Sequence, residues 1–393
     1  MIKRILIILL MTFCISGCTK KDPRSVVKFA SWGSQSEVEI LKPILDEFEK
    51  ENPDIKVDFV HIPQNYFQKI HLLFASNLAP DVIFMNNLSL PIYASAGVLQ
   101  EIDGKSQSAD FYSKSLEALS YEGKLYAVPR DVSNLVIFYN KDLFNKYEVP
   151  LPNKYWSFDD FLLLAQKLTK DTNNDGKTDI FGISFEEDLF FYLPYLMSEG
   201  GGVLSDDLKT SIIDSSQSKN GLQFYSDLRN KYHVAPTSSE AGSATMAQMF
   251  LQGKLAMHLS GRWLVPKYRE DAKFDWNVIN FPAGDAGSVV PLDASGWSIA
   301  KSSKHKAEAM RLVDYLASKK CSEKFSQSGL IVPARIDVAQ GEFLQSQRNL
   351  KPKSAKVFLD VIKTSKPTHV STDYREIQDE IKQKTNYLFN SKS

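Results

Sequence analysis

From Val26 to Leu99 the hydrophobic period alternates between that of a strand and that of a helix, and this alternation constrains the fold most. VVKFAS (26–31) is an apolar run of strand length. Val38, Leu41, Ile44, Leu45 and Phe48 then recur at helical spacing until Asn52-Pro53 stops them. IKVDFVHI (55–62) alternates like a strand, and a helix is expected from Tyr66 to Asn77. PDVIFM (80–85) is a third strand, and SLPIYASAGVL (89–99) a third helical stretch. Strand-helix-strand-helix-strand predicts a parallel sheet with helices on its faces. Ligands on such sheets sit beyond the carboxyl ends of the strands. Those ends carry Ser31-Trp32, His61 to Asn65 and Asn86-Asn87, so Trp32, Asn65 and Asn86 become candidate contacts.

The pattern continues along the chain. LVIFYN (135–140) is a buried strand, WSFDDFLLLAQKLTK (156–170) a helix with Ser157 as N-cap, and DIFGISF (179–185) another strand. Helices are expected to dominate up to about Tyr268. NVINFP (277–282) and GWSIA (296–300) read as strands, and Lys304 to Lys319 as an amphipathic helix. At 393 residues the chain is too long for one simple core and calls for two domains of about 150–200 residues. It holds 47 basic and 47 acidic residues, and no basic patch points to nucleic acid.

Lys3 and Arg4 precede an apolar run, Ile5 to Ile15, that is too short for a permanent membrane span. Ile15-Ser16-Gly17-Cys18 resembles the bacterial lipobox, in which the cysteine is diacylated and becomes the mature N-terminus. The expectation is a lipoprotein signal peptide at 1–17, lipidation at Cys18 and a polar tether at 18–25. Each buried acyl CH₂ would contribute about 0.8 kcal/mol to membrane anchoring. Cys14 leaves with the leader, so Cys321 has no disulfide partner.

Several motifs in order resemble the solute-binding proteins of bacterial ABC importers, in the group that includes the maltose- and oligosaccharide-binding proteins. They are Pro80-Asp81-Val82 with Tyr93-Ala94-Ser95-Ala96-Gly97-Val98-Leu99; Gly123 to Pro129 with Tyr139 to Phe144; and Trp156 to Asp160. Further on come Phe250, Gly253 to Met257 and Gly261-Arg262-Trp263, then Gly296-Trp297-Ser298-Ile299 and Leu330 to Arg335. The resemblance implies an α/β fold of the periplasmic-binding-protein type. Two hinge-linked lobes, each with a central β-sheet flanked by helices, would hold the ligand in the cleft between them. Residues 26–131 and 296–332 would form the N-terminal lobe, 135–292 and 335–393 the C-terminal lobe. Crossings are expected near Val132–Leu135, Leu292–Ser295 and Val332–Ala334. Closure would then be a hinge motion stabilised by a ligand that touches both lobes.

A sugar has a polar rim and apolar C–H faces; flat rings cover the faces and Asp, Asn, Glu and Arg bond the hydroxyls. The resemblance places Trp263 and Trp297 on the ligand, each weighed against an ordinary core tryptophan. It places Arg130, Asp131, Ser133 and Asn134 on a ligand-facing loop, and Glu199 beside a glycine turn near the cleft. Arg262 stands where the family more often has Pro; its fork suits a carboxylate or phosphate, and the plain alternative is a side chain in solvent.

DTNNDGKTDIFG (171–182) resembles a calcium loop, with Asp171, Asn173, Asp175, Lys177 by its carbonyl and Asp179 at alternate positions. Position twelve is Gly182 instead of Glu, and the plain alternative is a polar turn without metal. No G-x-S-x-G and no H-E-x-x-H occurs, and the six histidines are scattered. Glu186 and Glu187 are adjacent, a poor spacing for a glycosidase pair. The sequence therefore points to a monomeric, lipid-anchored, non-enzymatic receptor. It would bind a sugar or oligosaccharide for an ABC permease, with no cofactor beyond a candidate structural calcium. A receptor for a sugar phosphate and a surface glycosidase are the alternatives.

Overall fold

The computed structural model describes residues 22–33, 35–103, 110–368 and 370–390. The leader, Cys18 and the first half of the tether, 18–21, lie outside the described residues. No described helix is long and apolar enough to cross a membrane.

Strands β1 (Ser25–Ser31), β2 (Ile55–His61) and β3 (Val82–Asn86) pair in parallel. Phe29 stands opposite both Phe59 and Val82. Helices α1 (Gln35–Glu51), α2 (Tyr66–Ala75) and α3 (Leu90–Ser95) follow them in turn. Val27, Phe29, Ile83 and Phe84 are buried because helices cover both faces of a parallel sheet. The third helical stretch is shorter than its pattern predicts: Gly97, in a left-handed conformation, closes it.

The remaining strands of the ten-stranded sheet are β4 (Val128–Asn140), β5 (Phe181–Ile183), β6 (Leu255–Gly261), β7 (Trp276–Ile279), β8 (Pro291–Ile299), β9 (Val332–Pro333) and β10 (Lys366–Pro367). The order is β2-β1-β3-β8-β4-β6-β5, with β7 and β9 also on β4, and β10 on β8. β4 changes partners along its length. Val128 to Asn134 pairs with β8, whereas Leu135 to Asn140 pairs with β6 and β7. One strand thus runs through both halves of a two-lobe α/β fold. Where it changes partners, Asp131–Asn134 lies beside Leu292–Ser295 of β8, and Asp131 and Val132 beside β9.

β6 corrects the expectation of helices up to Tyr268. Leu255 to Gly261 is wholly buried, so it shows no alternation to mark it as a strand. Ser157 caps its helix (Phe158–Leu168) as expected, in a capping box with Asp160. The helices Ile336–Gln340 and Glu342–Gln347 pack against the helix Lys319–Gln327.

Candidate functional site

A cavity of about 420 Å³ opens beside the strands that run between the lobes. Its walls can be built segment by segment. β1 ends at Ser31 and leaves Trp32 with 48% of its surface exposed, its ring 5.7 Å from that of Phe84. β3 ends at Asn86 and delivers Asn86 and Asn87 to the same cavity. The same cavity is lined by Phe190, in the helix Leu189–Ser198, and Trp263, in the short turn after β6, with ring centroids 6.1 Å apart. Trp263 folds back over Gly261, where a Cβ would stand 1.8 Å from the indole; only glycine lets the ring lie there.

Arg130 forms the charged floor. The register of β4 against β8 shifts between Ser295, opposite Asp131, and Gly296, opposite Pro129. Arg130 is the residue bulged out by that shift. Its guanidinium lies over Phe84, Trp297 and Phe325, at 4.9, 5.5 and 5.6 Å. Nε donates to Asp131 at 2.5 Å and Nη1 to Glu37 at 3.0 Å. Burial works against this charge, but the two carboxylates outweigh it and hold the pKa above the ordinary arginine value. Ser295 Oγ donates to the other oxygen of Asp131 at 2.8 Å.

Trp32, Asn86, Arg130, Asp131, Ser133, Arg262 and Trp263 all line this cavity. Four other expected contacts lie elsewhere. Trp297 is 0% exposed, edge-on to Phe29 and Phe84 and covered by Arg130, so it sits one layer behind the wall. Asn134 is buried and donates to the carbonyl of Phe358. Asn65 is exposed in a left-handed conformation before α2. Glu199 ends the helix Leu189–Ser198 against the 284–287 turn; burial and Asp285 raise its pKa.

Arg262 reaches the wall, but its guanidinium points behind it. Nη2 donates to Gln347 at 2.8 Å, and the fork lies over Phe343 and Phe358. Nε and Nη1 are sealed from solvent without a partner. Burial, with Arg269 nearby, pushes its pKa down to about 9.

The candidate calcium loop closes on itself through its own side chains. Asp171 accepts from the backbone N–H groups of Asn173, Asn174, Asp175 and Gly176, and Asp179 accepts from Thr172. The loop's carboxylates bond its own backbone, and among the described residues no three His, Cys, Asp or Glu side chains converge to hold a metal. Glu187 pairs with Arg229 at 2.8 Å, and Glu186, pushed up to about 7 by burial and Asp188, does not line the cavity.

The residue patterns did not single out Glu37, Phe84, Phe190 or Asp293. Glu37 and Asp293 had the clearest signals, one in the first turn after Trp32 and one inside an expected crossing.

Residues 32–320 match the family described as bacterial extracellular solute-binding protein. The chain belongs to that family. It is 23% identical over 385 residues to the galactooligosaccharide-binding protein of Bacillus subtilis, covering 93% of this chain and 87% of the relative. An ABC substrate-binding protein of Listeria monocytogenes, solved with cycloalternan, superposes with a TM-score of 0.84 at 24% identity, covering 94% of this chain and 95% of the other. The GacH receptor of Streptomyces glaucescens, solved unliganded and with acarbose, gives 0.81 at 24% identity, with 94% of each chain covered. The protein is thus a bacterial extracellular solute-binding protein, and it has the two-lobe fold of the maltose-binding type.

Proposed function

We propose that this chain is a lipid-anchored receptor that takes a saccharide into the cavity and hands it to an ABC permease. The observation that carries this reading is the lining itself. Trp32, Phe190 and Trp263 offer flat faces, and Asn86, Asn87, Asp131, Ser133 and Asp293 offer polar atoms around the same space. The sugars named with the related proteins support it. Cys18 would carry the anchor, and the receptor would work as a monomer without catalysis. The lobes would divide at 26–131 with 296–332 and at 135–292 with 335–393, and would close about the segments near Val132–Leu135, Leu292–Ser295 and Val332–Ala334. The sugar-phosphate alternative draws less support, because Arg130 is neutralised by two carboxylates and the guanidinium of Arg262 is turned away.

A thermal-shift screen with maltotriose, a galactooligosaccharide, cycloalternan and glucose 6-phosphate tests this. A saccharide at about 100 times its Kd adds roughly 2.7 kcal/mol of stability. Chromatography of the recovered sugar should find it intact. Stabilisation by the sugar phosphate alone, or release of hydrolysis products, would overturn the reading. Intact-mass measurement of exported protein checks the anchor: a diacylated N-terminus at Cys18 is expected, and an unacylated terminus elsewhere removes it.

A further inference from the structure

Asp293 stands on β8 where the segments between the lobes run side by side, and its side chain lines the cavity. Two neighbours hold it. Asn87, just after β3, is fixed on the edge of β8: its N–H donates to the carbonyl of Ala294 at 3.0 Å and its Oδ1 accepts from the N–H of Ala294 at 3.1 Å. That grip leaves Nδ2 to donate to Asp293 Oδ1 at 3.1 Å. Thr368, just after β10, donates through Oγ1 to the same Oδ1 at 2.6 Å, while its N–H donates to the carbonyl of Leu292 at 3.2 Å.

Both donors therefore take one oxygen. Among the described residues no donor meets Oδ2, which is not sealed from solvent. Among the described residues no cation touches the carboxylate, and the charge that bears on it there is that of Asp188, of the same sign. Three separate segments fix this acceptor, so it cannot swing aside when a ligand fails to satisfy it. Burial raises its pKa, which is the mark of a carboxylate poorly compensated by its surroundings.

We propose that Asp293 is the residue that sets which saccharide the cavity accepts: its open Oδ2 receives a ligand hydroxyl where the lobes meet, and a sugar with no donor at that position is rejected. The inference rests on the saccharide reading above. Its physical basis is that a site built to bond a hydroxyl rejects the analogue lacking it, because the acceptor, shut off from water by the bound sugar, is then left unpaired.

Titration calorimetry tests it with wild type, Asp293→Asn and Thr368→Val. The probes are maltotriose and galactotriose, then the monodeoxy derivatives of whichever binds better. Wild type should lose about 100-fold or more with one monodeoxy derivative and much less with the others. Asp293→Asn should bind the parent sugar about 10- to 100-fold more weakly and treat parent and that derivative alike. Thr368→Val, which keeps the carboxylate and removes one holding bond, should show a smaller loss with the same pattern, and it carries the test if Asp293→Asn does not fold. Wild type binding neither trisaccharide would overturn the saccharide reading and this inference with it. Wild type that binds, with folded variants that keep its affinity and its discrimination, would overturn the inference alone. So would a uniform loss for every sugar with discrimination intact, since that is the effect of a merely structural residue.

Discussion

Trp263→Ala and Trp297→Ala should fail in opposite ways. Trp263 lines the cavity, so its loss should weaken saccharide binding by about 30- to 800-fold, or 2–4 kcal/mol, in calorimetric titration. Trp297 does not line this cavity and packs on Phe29 and Phe84; its truncation should cost about 3–5 kcal/mol in denaturant unfolding. A Trp297→Ala protein of unaltered stability would contradict the burial described. A second single residue governs acid sensitivity. His258 is buried, with Nδ1 2.6 Å from the hydroxyl of Tyr268, and burial lowers its pKa from 6.5 to about 3. The unfolded chain gains a proton below about pH 6.5 and the native chain does not, so stability is full above that pH and falls as pH drops towards 3. At pH 5 the loss is about 2 kcal/mol. His258→Gln should show a shallower fall in Tm between pH 7 and 5 than wild type.

At the scale of elements, the Asp171 loop separates a metal site from a self-bonded turn. Because Asp171 caps four backbone N–H groups, Asp171→Ala should cost about 1–2 kcal/mol of stability and lower Tm accordingly, whereas EDTA should leave wild-type Tm unchanged. A chelator-sensitive Tm would restore calcium. The same loop shows the limit of reading spacing alone: alternate Asp and Asn residues fit cation binding and Asx turns equally, and only the direction of the carboxylate oxygens distinguishes them. Elements with a clear period were legible. β1, α1, β2, α2 and β3 lie within a few residues of their patterns, and Ser157 caps where expected. β6 was not legible, because burial on both faces erases alternation. Of the candidate contacts, Trp32 and Asn86 follow from strand ends and Trp263 from the resemblance, and all three line the cavity. Trp297 was misplaced because the bulge at Arg130, which lays a guanidinium over the indole, leaves no trace in sequence spacing. Phe190 lies in a helix apolar all round, so nothing in its pattern separates a cavity-facing ring from its core neighbours.

At the scale of the whole molecule, segments of β4, β8 and β9 run side by side beside one cavity whose walls come from separate stretches of the chain. A ligand touching Trp32 and Asn86 from one side and Phe190 and Trp263 from the other should favour the closed arrangement. Small-angle X-ray scattering should then show a smaller radius of gyration with saturating saccharide than without. An unchanged radius would count against closure. A co-crystal structure with the best-binding saccharide of the screen decides where the sugar binds. Density for the sugar is expected between Trp32 and Trp263, with hydroxyls at Asn86, Asn87 or Asp293. Density instead in another space, such as the cavity of about 400 Å³ beside Tyr112, Lys114 and Leu359, would contradict the assignment of this cavity as the binding site.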